Sequence, residues 1–105
     1  YIHQGDHFRF VNKAGELISG YSKDELMQMN IWELVHPSYK RIMQKRFQSR
    51  MQGENALSRY EFKILTKDQR ERWLDFTGQM ILYDDKPALL ATVFDITERK
   101  DAEAA

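Results

Sequence analysis

Three histidines, His3, His7 and His36, are the side chains whose types most directly suggest metal or haem chemistry. They are dispersed, with no HxH or HxxH spacing, and the chain has no cysteine to complete a zinc or iron site. No metal site is expected. The same absence of cysteine removes disulfides, a thiolate nucleophile and any cysteine-linked chromophore. The carboxylates Asp84 and Asp85 fall in turn chemistry ahead of Pro87, and Asp68 falls in a polar loop. No serine nucleophile motif and no glycine-rich phosphate loop stands near them, so nothing converges on a reaction. The chain does not read as an enzyme.

With 105 residues there is room for one compact domain, and 42% hydrophobic residues are enough for one core. The 16 basic and 16 acidic residues cancel, which removes the concentrated basic face that nucleic acids or anionic membranes require. No apolar run approaches the roughly 20 residues of a membrane span, so no membrane insertion is expected. A cysteine-free chain is compatible with a reducing compartment, and a cytoplasmic location is expected. The chain opens mid-pattern at Tyr1-Ile2-His3 without a secretory signal, as a segment of a longer protein would.

The elements that must position any site follow from the periodicity. Gln4-Gly5-Asp6 is a turn between two short strands, the second alternating through His7 to Val11. His3 and His7 lie near that turn and are expected to be solvated. Asn12 suits a helix N-cap, with Ala14, Leu17 and Ile18 in the helix and Gly20 as its left-handed stop. Ser22 and Glu25 have the spacing of a capping box for a short helix bearing Leu26. His36-Pro37 ends the apolar cluster from Ile31 to Val35, with His36 closing the turn by hydrogen bonding. Pro37 then opens a longer helix over Ser38 to Gln52. Its apolar stripe reads Tyr39, Ile42, Met43, Phe47 and Met51, with Arg50 off the stripe and Gly53 as the stop.

The second half changes to a period of two. Arg59 to Ile64 alternates strictly, which sends Tyr60, Phe62 and Ile64 to the core and Lys63 to water. Thr66 to Gln69 is a hairpin loop, and Arg70 to Tyr83 returns with Leu74, Phe76, Gly78 and Met80 on one parity and Trp73 on the other. After Asp84-Asp85-Lys86-Pro87, the run Ala88 to Ile96 is apolar almost throughout, as in a central strand covered on both faces. Glu98 to Ala105 is helix-favouring and polar, so residues 98–105 read as a linker leaving a domain of residues 1–97. Strands, then short helices, then antiparallel strands give an α+β fold with helices on one face of the sheet.

Phe10-Val11-Asn12, the run Leu17 to Ser22 (Leu-Ile-Ser-Gly-Tyr-Ser) and Leu34-Val35-His36-Pro37 resemble the first half of a PAS domain. Trp73 and the ending Asp95-Ile96-Thr97-Glu98-Arg99-Lys100 resemble its second half, the PAC motif. The match covers nearly the whole chain in the right order. It departs from the family at Gln69, where many members carry the hairpin glycine, and an upstream flanking helix is expected to be missing.

The resemblance implies a five-stranded antiparallel sheet of order 2-1-5-4-3 with helices clasping one face. It also implies a sensory module in signal transduction, of two-component type, feeding a histidine kinase, a GGDEF diguanylate cyclase or another output domain. The alternative is a ligand-free dimerisation module. Family ligands bind between the long helix and the sheet, where parity lines the wall with Phe10, Met43, Phe47, Tyr60, Phe62, Leu74, Phe76, Met80 and Ala91. Those side chains could equally fill the space themselves. No cofactor is predicted. Haem through a histidine of the long helix is not expected, because that helix has none and His36 lies outside it. Adduct-forming flavin is excluded by the missing cysteine, whereas noncovalent flavin against Trp32, or another small molecule, stays open.

Asp95 and Thr97 stand where the last strand meets the linker, so their hydrogen bonds are the expected signalling contact, with Thr97 also suited to cap the helix that follows. On the outer face, Trp73, Leu90 and Phe94 are expected to form an exposed apolar patch. That patch would pair the domain with a second copy or with flanking helices. The expected partners are thus the chain itself and its parent's output domain.

Overall fold

The computed structural model describes residues 1–52 and 58–104. Strand β1 (Ile2–Gln4) pairs with β2 (His7–Phe10), and helices α1 (Lys13–Ser19) and α2 (Lys23–Gln28) follow. A single 3-10 turn, Ile31–Glu33, leads into α3 (Pro37–Met51). Strands β3 (Ser58–Leu65), β4 (Glu71–Tyr83) and β5 (Lys86–Asp95) then build the long half of the sheet, and α4 (Thr97–Ala104) ends it. All five strands form one antiparallel sheet in the order β2-β1-β5-β4-β3.

The local signals act as their chemistry requires. Asn12 caps α1, its side chain accepting the Gly15 N–H, and Gly20 closes the helix at φ 79°. Ser22 and Glu25 form the reciprocal capping box. At the head of α3, His36 Nδ1 accepts the Ser38 N–H, so that histidine does finish the turn. Gly53, the expected stop of α3, lies outside the described residues. The β4–β5 hairpin needs only two turn residues, Asp84 and Asp85, at φ 51° and 61°. Aspartate tolerates this left-handed turn, which matches the twist of the flanking strands. Gln69 takes the same backbone region, at φ 63°, where the family glycine would sit.

Two buried clusters hold the layers together. One packs Met43 of α3 against Phe62, Ile64, Leu74, Phe76, Leu89 and Ala91 of the sheet. The other gathers Phe8, Val11, Leu26, Ile31 and Leu34 around the short helices. Tyr1 and Trp32 touch both. Phe76 is 1% exposed, and Gly78 gives it room: a Cβ at Gly78 would stand 2.6 Å from the Phe76 ring.

Several sequence expectations are corrected here. Ile42 and Met51 of the expected α3 stripe are exposed, as is Leu17 of α1, while Arg50 is buried. Met43, Phe47 and Arg50 are spaced by four and three residues, which is one helix face. β5 is not covered on both faces, because Thr92 and Phe94 lie open on the outer one. The helix-favouring end forms α4 (Thr97–Ala104). The helix starts at Thr97 and lays its first turns on the outer face of β3 and β4, where Lys100 Nζ meets Glu61 Oε1 at 2.5 Å.

Candidate functional site

Between the two clusters lies a cavity of about 90 Å³. Met43, Phe47, Phe62, Leu74 and Phe76 of the expected wall line it, as does Trp32, the expected contact of a noncovalent ligand. Tyr60, Met80 and Ala91 belong to the surrounding core without lining the cavity. Phe10 is absent from the wall and 49% exposed. It ends β2 opposite Ile2, where the β1–β2 register shifts, so the strict parity that would have turned it inward is lost. Phe8 and Val11 face the cavity instead.

The polar part of the wall was missed by the periodicity. His3, expected in solvent, is 3% exposed. Its ring sits 4.8 Å from Phe47, between Tyr1 and Trp32. β1 has only three residues, too few to show alternation, and its burial comes from pairing with β5 as well as β2. The His3 Nδ1 lies 3.2 Å from the Gly5 carbonyl, which can only accept, so this nitrogen carries the proton. Burial pushes the His3 pKa down to about 4, and the ring is neutral at pH 7. Arg50 arrives from the last turn of α3, 6% exposed, and donates to the Tyr60 hydroxyl. Burial also draws the Arg50 pKa below its ordinary value and raises that of the Tyr1 phenol. Its place on the Met43–Phe47 face was readable from spacing; its charge had argued against burial.

The second site joins β4, β5 and α4. The Trp73 backbone N–H donates to Thr97 Oγ1 at 2.9 Å, and that hydroxyl donates to Asp95 Oδ1 at 2.6 Å. The same oxygen accepts the Thr97 N–H, while Asp95 Oδ2 takes Arg72 Nη1 at 2.9 Å. Burial opposes ionisation of Asp95, but the bonds from Thr97 and Arg72 hold its carboxyl below the usual range. The capping expectation is thereby corrected. Asp95, rather than Thr97, takes up a free N–H at the start of α4, and the Thr97 hydroxyl faces β4.

Of the expected outer patch, Phe94 is 66% exposed and Leu90 half-buried. Trp73 does not lie open with them. Tyr39 meets its ring edge-on at 5.8 Å, and the ammonium groups of Lys63 and Lys100 stand 5.1 and 5.0 Å from its centroid. Lys63, expected in water, thus covers Trp73 while pairing with Glu71 at 3.0 Å. Glu61 accepts from both Lys100 and Arg99, which keep its carboxyl below the usual range.

Among the described residues no group of histidine and carboxylate side chains could hold a metal. Among those residues, too, no helix is long and apolar enough to cross a membrane.

Comparison with known proteins agrees with this architecture. A family model described as the PAS fold matches residues 8–93. The sensor histidine kinase TmoS of Ectopseudomonas mendocina is 27% identical over 94 residues, covering 88% of this chain and 10% of that protein. The chain therefore spans about a tenth of that relative. Among solved structures, a PAS domain from Desulfitobacterium hafniense superposes with a TM-score of 0.78 at 18% identity, covering 90% of this chain and 88% of the other. A sensory box histidine kinase/response regulator from Burkholderia thailandensis gives 0.67 at 21% identity, covering 89% and 71%. These likenesses show the fold. The strand order, the cavity beneath α3, the Asp95–Thr97 junction and the family match lead to one conclusion: the chain belongs to the PAS family and is a PAS sensory domain.

Proposed function

We propose that this domain senses a small molecule in the cavity beneath α3 and reports its presence through β3 and β4 to α4. The observation that carries the reading is the alternation of two roles along the same strands. Phe62 and Leu74 form cavity wall, while their neighbours Glu61 and Trp73 make the contacts on the opposite face that seat α4. A ligand that displaces Phe62 or Leu74 moves backbone shared with the α4 seat, because a packed interior transmits small shifts. Asp95 and Thr97 fasten the end of β5 to the Trp73 amide, so they are the signalling contact.

The cavity volume bounds the ligand. About 90 Å³ is well below the roughly 300–1,000 Å³ of sites for drug-sized molecules, so flavin or haem would require large expansion. The ligand is therefore small and noncovalent. The output domain is a histidine kinase, on the strength of the TmoS relative, and the cysteine-free chain suits a reducing, cytoplasmic setting. It pairs with a second copy through the open face around Phe94 and Leu90. A specific observation favours a second reading, the ligand-free dimerisation module: the cavity is small and Phe94 is exposed.

The test is a small-molecule screen by nuclear magnetic resonance, following the Trp32 and Trp73 indole N–H signals together. A sensor gives saturable shifts at both, lost in Val93→Phe, because Val93 lines the cavity and a ring there fills it. A ligand-free module gives neither shift, and sedimentation shows a dimer that Phe94→Glu dissociates.

A further inference from the structure

We infer that the cavity ligand is a small neutral alcohol, its hydroxyl donating to His3 Nε2 and its alkyl chain among the apolar side chains. This rests on the reading of the cavity as a ligand site. His3 lines the cavity at 3% exposure. Its Nδ1 donates to the Gly5 carbonyl at 3.2 Å, so Nε2, across the ring, holds a lone pair and can only accept. The rings of Tyr1, Trp32 and Phe47 surround the imidazole, and among the described residues no donor reaches Nε2. The Ser19 hydroxyl, in the same wall, spends its proton on the Gly15 carbonyl. A buried acceptor without a donor is costly, so a ligand that donates to it gains over one of equal size that does not.

The remaining wall sets the rest of the molecule. The burial that keeps the His3 ring neutral penalises a charged ligand in the same way. Arg50 does not call for an anion, because it is already engaged, with the Tyr60 hydroxyl and ring among its contacts. Met43, Phe62, Leu74 and Phe76 offer only apolar surface, where a second hydroxyl would lose its hydrogen bonds to water. This excludes diols and sugars. The volume of about 90 Å³ is smaller than the ~150 Å³ cavity that admits benzene, which limits the alkyl chain to about four carbons.

The test titrates the domain, labelled with ¹³C at its methionine methyl groups and ¹⁵N in its histidine rings, with 1-butanol, 2-butanone, butyrate and xenon. The Met43 methyl reports filling of the cavity, and the His3 Nε2 signal reports a hydrogen bond accepted there. 1-Butanol should shift both saturably, with 2-butanone, which has no donor, and butyrate weaker by about tenfold or more. His3→Phe, which removes the acceptor, should abolish the preference for 1-butanol over 2-butanone. If His3→Phe does not fold, the affinity ratio and the Nε2 signal of the native chain decide. A 2-butanone or butyrate affinity equal to or above that of 1-butanol overturns the inference and leaves the sensory reading standing. So does a preference that survives His3→Phe, a Met43 shift with 1-butanol while Nε2 stays unmoved, or a shift with xenon alone. If none of the four moves Met43, the cavity is closed and both readings fall.

Discussion

The two faces of this sheet are written on the same strands and built by opposite chemistry. On the inner face, Phe62, Leu74, Phe76 and Leu89 are nearly fully buried and packed by contact alone. One residue along, on the outer face, Glu61, Lys63, Trp73 and Asp75 make ion pairs and ring contacts at the edge of solvent, and Phe94 stands open. The inner face supplies stability, because apolar burial is large and insensitive to salt. The outer pairs are individually weak, and weak contacts are what a signal can rearrange.

That contrast is broken or sharpened by substitution. The largest effect should come from Phe76→Ala, which opens a cavity in the tightest part of the core and should cost on the order of 3–5 kcal/mol. Phe94→Ala, on the same sheet but facing out, should cost under about 0.5 kcal/mol by denaturant unfolding. Similar losses at both positions would mean the faces are misassigned.

Next is pH. His3 has a folded pKa near 4 against 6.5 for a free histidine, so the unfolded chain takes up a proton first as pH falls. The stability is fully present above about pH 6.5 and is lost progressively down to about pH 4. Between pH 7 and 5 the loss should be about 2 kcal/mol, and it should vanish in His3→Gln. The carboxylates held low by their partners (Glu61, Asp75 and Asp95) lose their contribution only as pH falls below about 4.5, beneath the pH 7 to 5 comparison. A wild-type stability that is flat from pH 7 to 5 would place His3 in solvent.

Smaller still is Ser22→Ala, which removes the Ser22 Oγ that accepts the Glu25 N–H in the α2 capping box and should cost about 1 kcal/mol. An unchanged denaturation midpoint would show that the box contributes nothing. Glu61→Gln should leave the midpoint nearly unchanged while α4 amides exchange faster with solvent, since Glu61 receives both Arg99 and Lys100. Protection of α4 equal to wild type would show that the pair does not seat the helix.

The legible parts of the fold were those where one periodicity runs long enough to be unambiguous. Arg59 to Ile64 and Leu74 to Met80 gave their register by alternation, and the caps at Asn12 and Ser22 by local hydrogen-bond chemistry. His3 was not legible, because three residues of β1 hold no period and its burial depends on β5, nearly ninety residues away. Arg50 was half legible: its spacing from Met43 and Phe47 is that of the inward face, but a charged side chain argues for solvent until its partners are known. Trp73 was placed on the correct parity, yet its cover comes from Lys100, on a helix that composition alone reads as a departing linker. Side-chain partners across long sequence separations are the part that pattern does not carry.

The central claim is that the cavity and α4 are coupled through β3 and β4. It is tested most directly by hydrogen exchange at the Trp73 and Thr97 amides, followed while a small molecule saturates the Met43 methyl shift. The account predicts that exchange at both amides changes by about tenfold or more as the cavity fills, in step with Met43. Saturation at Met43 with exchange at Trp73 and Thr97 unmoved would contradict it.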